Sequence, residues 1–268
     1  MNRHLNFKRL ILLINKFWFG HRKVFLLLML AILSLFTIWL GIYLGFSNPR
    51  LFNEDFQVAY YFLGLLMSGC LSANFLFADL GNKPKAIGYL LEPASSLEKI
   101  VCSLFFGVFV FWIGYSMMFY LVDAGMVHMA NRIYGTQWTI INIFSVNDYE
   151  NPFFPGRASN LFFIYFASQA LFITGSLYFR KYTFFKTAIV ALFIGLVLVI
   201  IPSAAINISM PLGIAKTIMA YEVLDFRGNK LIEMPSWFGL SVTVFSFYLL
   251  TPAFWLICYF LLREKQVS

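Results

Sequence analysis

The residue types most often used as nucleophiles and metal ligands are too scattered in this sequence to form a catalytic centre. His4 and His21 lie in a basic N-terminal segment, and His128 lies far from both. The three cysteines fall in separate apolar segments, which suits small buried side chains: Cys70, Cys102 and Cys258. The sequence has no phosphate-binding G-x-x-x-x-G-K-S/T motif, no H-E-x-x-H zinc motif and no G-x-S-x-G nucleophile elbow. We therefore expect neither an enzyme nor a cofactor or metal site in this chain.

Composition and charge indicate the class of protein and the kind of element that carries its polar residues. Of the 268 residues, 60% are hydrophobic and 12% are charged, and the mean hydropathy is +0.77. Soluble globular domains carry roughly 25% charged residues. The net charge of +8 does not indicate nucleic-acid binding, because the basic residues lie between long apolar runs rather than in one patch. The composition therefore predicts an all-α integral membrane protein.

Long apolar runs predict six transmembrane helices in a single domain that covers residues 1–268. A helix rises 1.5 Å per residue, and it must cross a hydrocarbon core of about 30 Å. The predicted spans are residues 24–46, 56–77, 97–121, 160–179, 187–201 and 237–262. Their interiors hold no Asp, Glu, Lys or Arg, whereas ion-coupled transporters usually carry such groups. Any conformational change would then be powered from outside the bilayer, although a passive structural protein would have the same composition.

Lys83–Lys99, which we call the elbow, is the only long polar-edged stretch between two strongly apolar runs on the side of the protein that carries most of the Lys and Arg residues. Its residues Lys85–Leu91 can form about two helical turns, and Pro93 then interrupts the helix. Ser95 stands three residues before Glu98, the spacing of a capping box at the start of a new helix. The pattern predicts a rigid connection at the membrane surface, made of a short helix, a proline break and a capped long helix. An ordinary loop between two spans is the alternative.

Part of the elbow, the run Tyr89–Lys99 (Y-L-L-E-P-A-S-S-L-E-K), resembles the L-L-P-x-S-x-x-E-K stretch between the second and third spans of bacterial ABC-2 type transporter permeases. It departs from that pattern by an inserted Glu92 before the proline. The resemblance implies a coupling helix that docks on a separate ABC ATPase subunit, where ATP and Mg bind. The residues expected to couple to the ATPase are Lys85, Ile87, Gly88, Leu90, Glu92 and Glu98.

The basic N-terminal segment, residues 1–23, contains a predicted amphipathic helix at residues 5–18. Phe7, Leu10 and Ile14 share one side of this helix, and Lys8 and Lys16 share the other. Such a helix is expected to lie in the membrane interface rather than to cross it. ABC-2 permeases have a similar connecting helix before their first span. The alternative is a basic anchor that only orients the first span.

Residues 204–234 read neither as a clear span nor as a clear loop, because Pro202 and Pro211 interrupt a rather apolar sequence. Irregular backbone at membrane depth requires shielding by protein or by a water-filled cavity. The resemblance implies re-entrant helices here, between the fifth and sixth spans, and the composition allows them.

Lys and Arg residues are shared unequally between the two sides of the six-span topology. Most precede the first span or lie in the elbow, in the turn at 180–186 and at the C-terminus. The segments on the other side contain Arg50, Arg132, Arg157, Lys216, Arg227 and Lys230. The asymmetry predicts that both termini of this multi-pass protein face the cytoplasm. For a bacterial permease, the corresponding membrane is the inner, cytoplasmic one.

One face of the second span carries small, hydroxyl-bearing and aromatic residues at helical spacing: Tyr61, Gly64, Ser68, Ser72 and Phe75. We call this set the span-two stripe. Small residues allow close helix contact, and hydroxyl groups can line a path or bond to a neighbouring backbone. The stripe predicts either helix packing within one subunit or a substrate path or dimer seam. In the resembled family, spans two and five line the route between two permease subunits.

Together, these patterns predict a permease subunit of an ATP-driven ABC exporter that moves an amphipathic or lipid-linked substrate across the inner membrane. Its expected partners are an ABC ATPase subunit, a second permease copy or paralogue, and the lipid membrane, with no nucleic acid. The alternative from another functional class is a non-transporting membrane scaffold or assembly subunit.

Overall fold

The computed structural model describes residues 6–46, 54–77, 80, 83–135, 137–143, 149–151, 154–156, 158–179, 181–209, 214–215, 222–225, 231–233 and 248–267. Most of these residues are helical. The α-helices are α1 (Phe7–Phe46), α2 (Glu54–Leu76), α3 (Lys83–Leu90), α4 (Ser96–Leu104), α5 (Phe111–Tyr134), α6 (Ala158–Tyr178), α7 (Thr183–Ser209) and α8 (Leu250–Val267). A π-helical segment, Phe105–Val110, joins α4 to α5.

Four helices in the described part of the chain are long and apolar enough to cross a membrane, so the chain is a multi-pass membrane protein. They are Phe7–Ile42, Phe56–Leu76, Ser96–Tyr134 and Leu161–Tyr178. These four helices contain most of the first four predicted spans. A shorter apolar helix, Thr183–Val197, overlaps the fifth predicted span. Residues 237–247 of the sixth predicted span lie outside the described residues.

Short strands occur between α5 and α6 and between α7 and α8. β1 (Tyr149–Asn151) and β2 (Phe154–Gly156) form one antiparallel pair. The second sheet is antiparallel in the order β3–β4–β5, and its strands are β3 (Ile214–Ala215), β4 (Glu222–Asp225) and β5 (Leu231–Glu233). In the β4–β5 pair, Leu224 lies opposite Leu231.

The second sheet occupies part of the stretch for which the sequence predicts re-entrant helices. α7 continues past Pro202 to Ser209, and the described residues after it, up to Glu233, are strands. The local sequence accounts for this difference. Apolar and β-branched residues stand on both sides of Gly228 and Asn229, a pattern that favours a β-hairpin over a helix.

The N-terminal segment and the first span form one continuous helix, α1, and not an interfacial helix followed by a span. α1 has 40 residues, and no proline interrupts it. Phe17 and Trp18 stack on Phe106, with ring centroids 4.8 and 6.2 Å apart. Leu10 is buried in the same cluster. Because these apolar side chains pack on α4 and the π-helical segment, this part of α1 stays alongside the bundle.

The helix that contains the third predicted span is also longer than predicted. α4, the π-helical segment and α5 together run for 39 residues from Ser96 to Tyr134. Their length is about 58 Å at 1.5 Å per residue, whereas the hydrocarbon core is about 30 Å thick. The helix ends at Gly135, which adopts the left-handed conformation with φ 64°. No proline precedes Gly135 in this helix, so the helix continues past residue 121, where the third predicted span ends.

The start of α1, the start of α4 and the end of α8 lie at one end of the bundle, which we call the elbow end. Arg9 contacts Glu98, and α4 packs against α8. Lys265, near the end of α8, donates a hydrogen bond to the Leu177 carbonyl at the end of α6. The C-terminal end of α5 forms the opposite, far end.

The interior of the bundle is aromatic. α2 packs against α5 and α6, and α6 packs against α7 and α8. Tyr61 of α2 is fully buried and meets Phe119 and Tyr115 of α5 edge-on, with ring centroids 5.0 and 5.4 Å apart. Such pairs contribute about 0.5–1.5 kcal/mol beyond the burial of their area. This core fixes the face of α2 that carries the span-two stripe.

Candidate functional site

The elbow has the local structure that its sequence predicts. α3 ends at Leu90, and the turn at Pro93 is closed by a hydrogen bond from the Ala94 N–H to the Glu92 carbonyl at 2.7 Å. α4 then begins with a capping box: the Ser95 hydroxyl accepts from the Glu98 N–H at 3.2 Å, and Glu98 Oε2 accepts from the Ser95 N–H at 2.8 Å. These bonds satisfy backbone donors that a helix start would otherwise leave unpaired.

Glu98 also connects α4 to the start of α1. Its side chain is 0% exposed, and its Oε1 atom accepts a hydrogen bond from the Asn6 N–H at 2.9 Å. Arg9 Nη2 lies 3.3 Å from the same oxygen. A buried carboxylate is stable only when it is paired and hydrogen-bonded, and Glu98 meets both conditions.

Two lysines contact the elbow, one from α1 and one from within the elbow itself. Lys16 of α1 forms an ion pair with Glu92, just after α3. Lys99 is buried, donates a hydrogen bond to the Tyr89 carbonyl at 2.8 Å, and holds its ammonium 5.1 Å from the centroid of the Tyr89 ring. Desolvation raises the pKa of the Tyr89 phenol above its ordinary value.

Among the elbow residues whose exposure the structure describes, those that face outward are apolar. Ile87 is 59% exposed and Leu91 is 77% exposed, and Gly88 is exposed between them. We call Ile87, Gly88 and Leu91 the elbow tip. The side chains of Lys85 and Leu90 lie outside the described part of the structure. Of the six predicted coupling residues, the structure thus places Ile87 and Gly88 at the surface, and it places Glu92 and Glu98 in contacts with α1.

The span-two stripe runs from the interior of the bundle to its surface. The Tyr61 hydroxyl lies 2.8 Å from Ser116 Oγ and accepts from Trp112 Nε1 at 3.1 Å. A Cβ atom added at Gly64 would lie 2.5 Å from the Tyr115 hydroxyl and 2.6 Å from Phe36 Cζ, so a larger residue would have to displace these buried rings. These two positions pack within the subunit.

The other end of the stripe is more open. Ser68 and Ser72 are half-buried, and their hydroxyls donate to carbonyls of their own helix, those of Gly64 and Gly69. Phe75 is exposed. The part of the stripe from Ser68 to Phe75 can therefore face a lipid, a substrate or a second subunit.

Sequence reasoning missed several polar residues that the structure places in important contacts. In the sequence, Arg9 and Lys16 are only members of a polar helix face, and Lys99 is only a residue at the edge of a span. Their partners cannot be seen there. Asp123 of α5 is 1% exposed, and its Oδ2 atom has no hydrogen-bond partner in the described structure. No proline lies between residues 96 and 134, and this absence could have indicated that the helix extends past Asp123.

Within the described ranges, no group of three or more His, Cys, Asp or Glu side chains is placed to hold a metal ion. Comparison of the chain with protein-family models, with curated proteins and with solved structures gives no match.

Proposed function

We propose that this chain is the membrane-spanning permease subunit of an ATP-driven exporter of the ABC-2 type in the bacterial inner membrane. In this proposal, the chain pairs with a second copy or a paralogue, and a separate ABC ATPase binds at the elbow. The ATPase subunit binds ATP and Mg, and the permease pair moves an amphipathic or lipid-linked substrate.

The observation that carries the proposal is an exposed apolar tip on a firmly held elbow. Ile87 and Leu91 are mostly exposed beside a helix whose start is capped and tied to α1 through Glu98. An exposed apolar patch with a polar rim is typical of a protein contact. Because the connection behind the tip is rigid, a partner that moves the tip would also move α1 and α4. This is the mechanical requirement for coupling an external ATPase to a membrane bundle.

The experiment is purification of the tagged chain from its native membranes, followed by identification of bound proteins and an ATPase assay. We expect a protein with a Walker A motif to copurify and to hydrolyse ATP. Ile87→Asp places a charge in the proposed contact, so it should abolish both copurification and copurified ATPase activity. A wild-type chain that brings down no ATPase would contradict the proposal and leave the membrane scaffold as the better interpretation.

The matched control is Ile133→Asp. Ile133 is 58% exposed at the far end of α5, so the same substitution is made at nearly the same exposure but away from the elbow. We expect Ile133→Asp to keep the ATPase bound. Equal loss in the two variants would show that the charge disturbs the protein in general and that the elbow tip is not the contact.

A further inference from the structure

A cavity of about 410 Å³ lies at the elbow end, between α1, the end of α2, α3 and α4. We call it the elbow cavity. Sites for small ligands usually have volumes of about 300–1,000 Å³, so this cavity has room for a molecule. Its walls combine apolar side chains from α1 and α2 with charged groups of the elbow.

Positive charge exceeds negative charge in the described lining of the cavity. Lys16 and Lys99 carry ammonium groups, and Glu92 carries the carboxylate. Lys99 is also a lining residue; it is 1% exposed, and its ammonium donates to the Tyr89 carbonyl and lies over the Tyr89 ring. The Lys16 side chain is 65% exposed, and exposed ion pairs such as Lys16–Glu92 contribute little to stability. Lys16 can therefore exchange its partner for another anion with little loss.

The rest of the cavity wall is apolar and includes Leu13 and Phe17 of α1 and Leu76 of α2. A molecule with a negatively charged head and an apolar body complements this combination. Basic pockets between transmembrane helices at the membrane surface are typical sites for anionic lipid headgroups. A free phosphate ion fits less well, because it would lose hydration against apolar side chains.

We propose that the elbow cavity binds the phosphate headgroup of an anionic phospholipid. Lys16 and Lys99 face the phosphate, and Leu13, Phe17 and Leu76 contact the beginning of the acyl chains. Glu92 competes with the phosphate for Lys16, so a bound lipid loosens the ion pair between α1 and the elbow. This inference goes beyond the proposed function and does not depend on an ATPase partner.

Binding to the purified full-length chain in detergent, measured by native mass spectrometry, tests the proposal. The probes are short-chain phosphatidylglycerol, short-chain phosphatidylcholine and inorganic phosphate at equal concentrations. We expect phosphatidylglycerol to bind about ten-fold more tightly than phosphatidylcholine, because both lipids carry the phosphate but the trimethylammonium group of phosphatidylcholine adds a positive charge beside Lys16 and Lys99. Inorganic phosphate should not displace it. Equal binding of the two lipids would overturn the proposal, and displacement by inorganic phosphate would overturn the choice of a lipid.

Two substitutions that break the same ion pair separate a binding role from a structural one. Lys16→Gln should weaken phosphatidylglycerol binding about ten-fold, because it removes a cation from the site. Glu92→Gln should tighten binding several-fold, because it removes the competing anion. A merely structural role predicts the same direction for both variants, and that result would overturn the proposal. Lys8→Gln is the control, since Lys8 is exposed on α1 and is not among the residues that line the cavity.

Discussion

Two carboxylates on the same long helix are almost completely buried, and their surroundings differ. Glu98 stands in the first turn of α4 at the elbow end, and Asp123 stands in α5 toward the far end. Glu98 is 0% exposed and Asp123 is 1% exposed. Burial is therefore equal, and only the partners distinguish them.

Both oxygens of Glu98 accept hydrogen bonds, and Arg9 adds an opposite charge. For Asp123, no hydrogen bond reaches Oδ2 within the described structure. Near the far end, the neutral amide of Gln57 makes the connecting contacts, with the Thr139 carbonyl and the Ile141 N–H at 3.3 Å each. The buried carboxylate of Glu98 thus has hydrogen bonds and an opposite charge, whereas Oδ2 of Asp123 is buried without a hydrogen-bond partner in the described structure.

The largest expected effect comes from Glu98→Ala. The substitution removes the capping acceptor and the partner of Arg9 together, so we expect the free energy of unfolding to fall by about 3 kcal/mol. The measurement is a denaturant titration of the purified chain in detergent, followed by circular dichroism. Glu264→Ala is the control, because Glu264 is exposed near the end of α8 and should change stability by about 0.5 kcal/mol or less. An effect of Glu98→Ala no larger than that of the control would remove the proposed contrast.

Asp123→Asn should act in the opposite direction. It keeps the size of the side chain and removes the charge, so we expect the free energy of unfolding to rise by about 1 kcal/mol at neutral pH. The same titration measures the change. A destabilisation as large as that of Glu98→Ala would show that Asp123 has a stabilising partner, and the two buried acids would then be alike.

Ser95→Ala separates the capping bond from the other contacts of Glu98. It removes the hydroxyl that accepts from the Glu98 N–H and leaves the contacts of the carboxylate with Asn6 and Arg9. We expect a loss of about 1 kcal/mol in the free energy of unfolding. A loss equal to that of Glu98→Ala would mean that capping alone explains the role of Glu98.

Lys16→Gln has the smallest expected effect on stability. The Lys16 side chain is 65% exposed, so its ion pair with Glu92 is screened by water. We expect the free energy of unfolding to fall by about 0.5 kcal/mol or less. Thermal unfolding of the variant beside the wild type checks this expectation. A clear loss of stability would show that Lys16, like Glu98, is needed to hold α1 on the elbow.

The sequence by itself determined the features that depend on near neighbours. Ser95 and Glu98 are three residues apart, so the capping box is a local interaction and could be predicted from their spacing. Pro93 likewise ends the short helix for a local steric reason. The long apolar runs showed that the chain crosses a membrane, because the bilayer sets the required length of each helix.

Only the tertiary structure decided which helices meet and which charges pair. Asn6 and Glu98 are 92 positions apart, and Lys16 and Glu92 are 76 apart. Helical spacing shows that residues share a face, but it does not show what that face contacts. The span-two stripe illustrates this limit. Its members recur at one regular spacing, but Gly64 packs against Tyr115, whereas Phe75 lies at the surface. The physical reason is that the position of each helix in the bundle depends on side chains from several distant segments at once, and no local pattern contains that information.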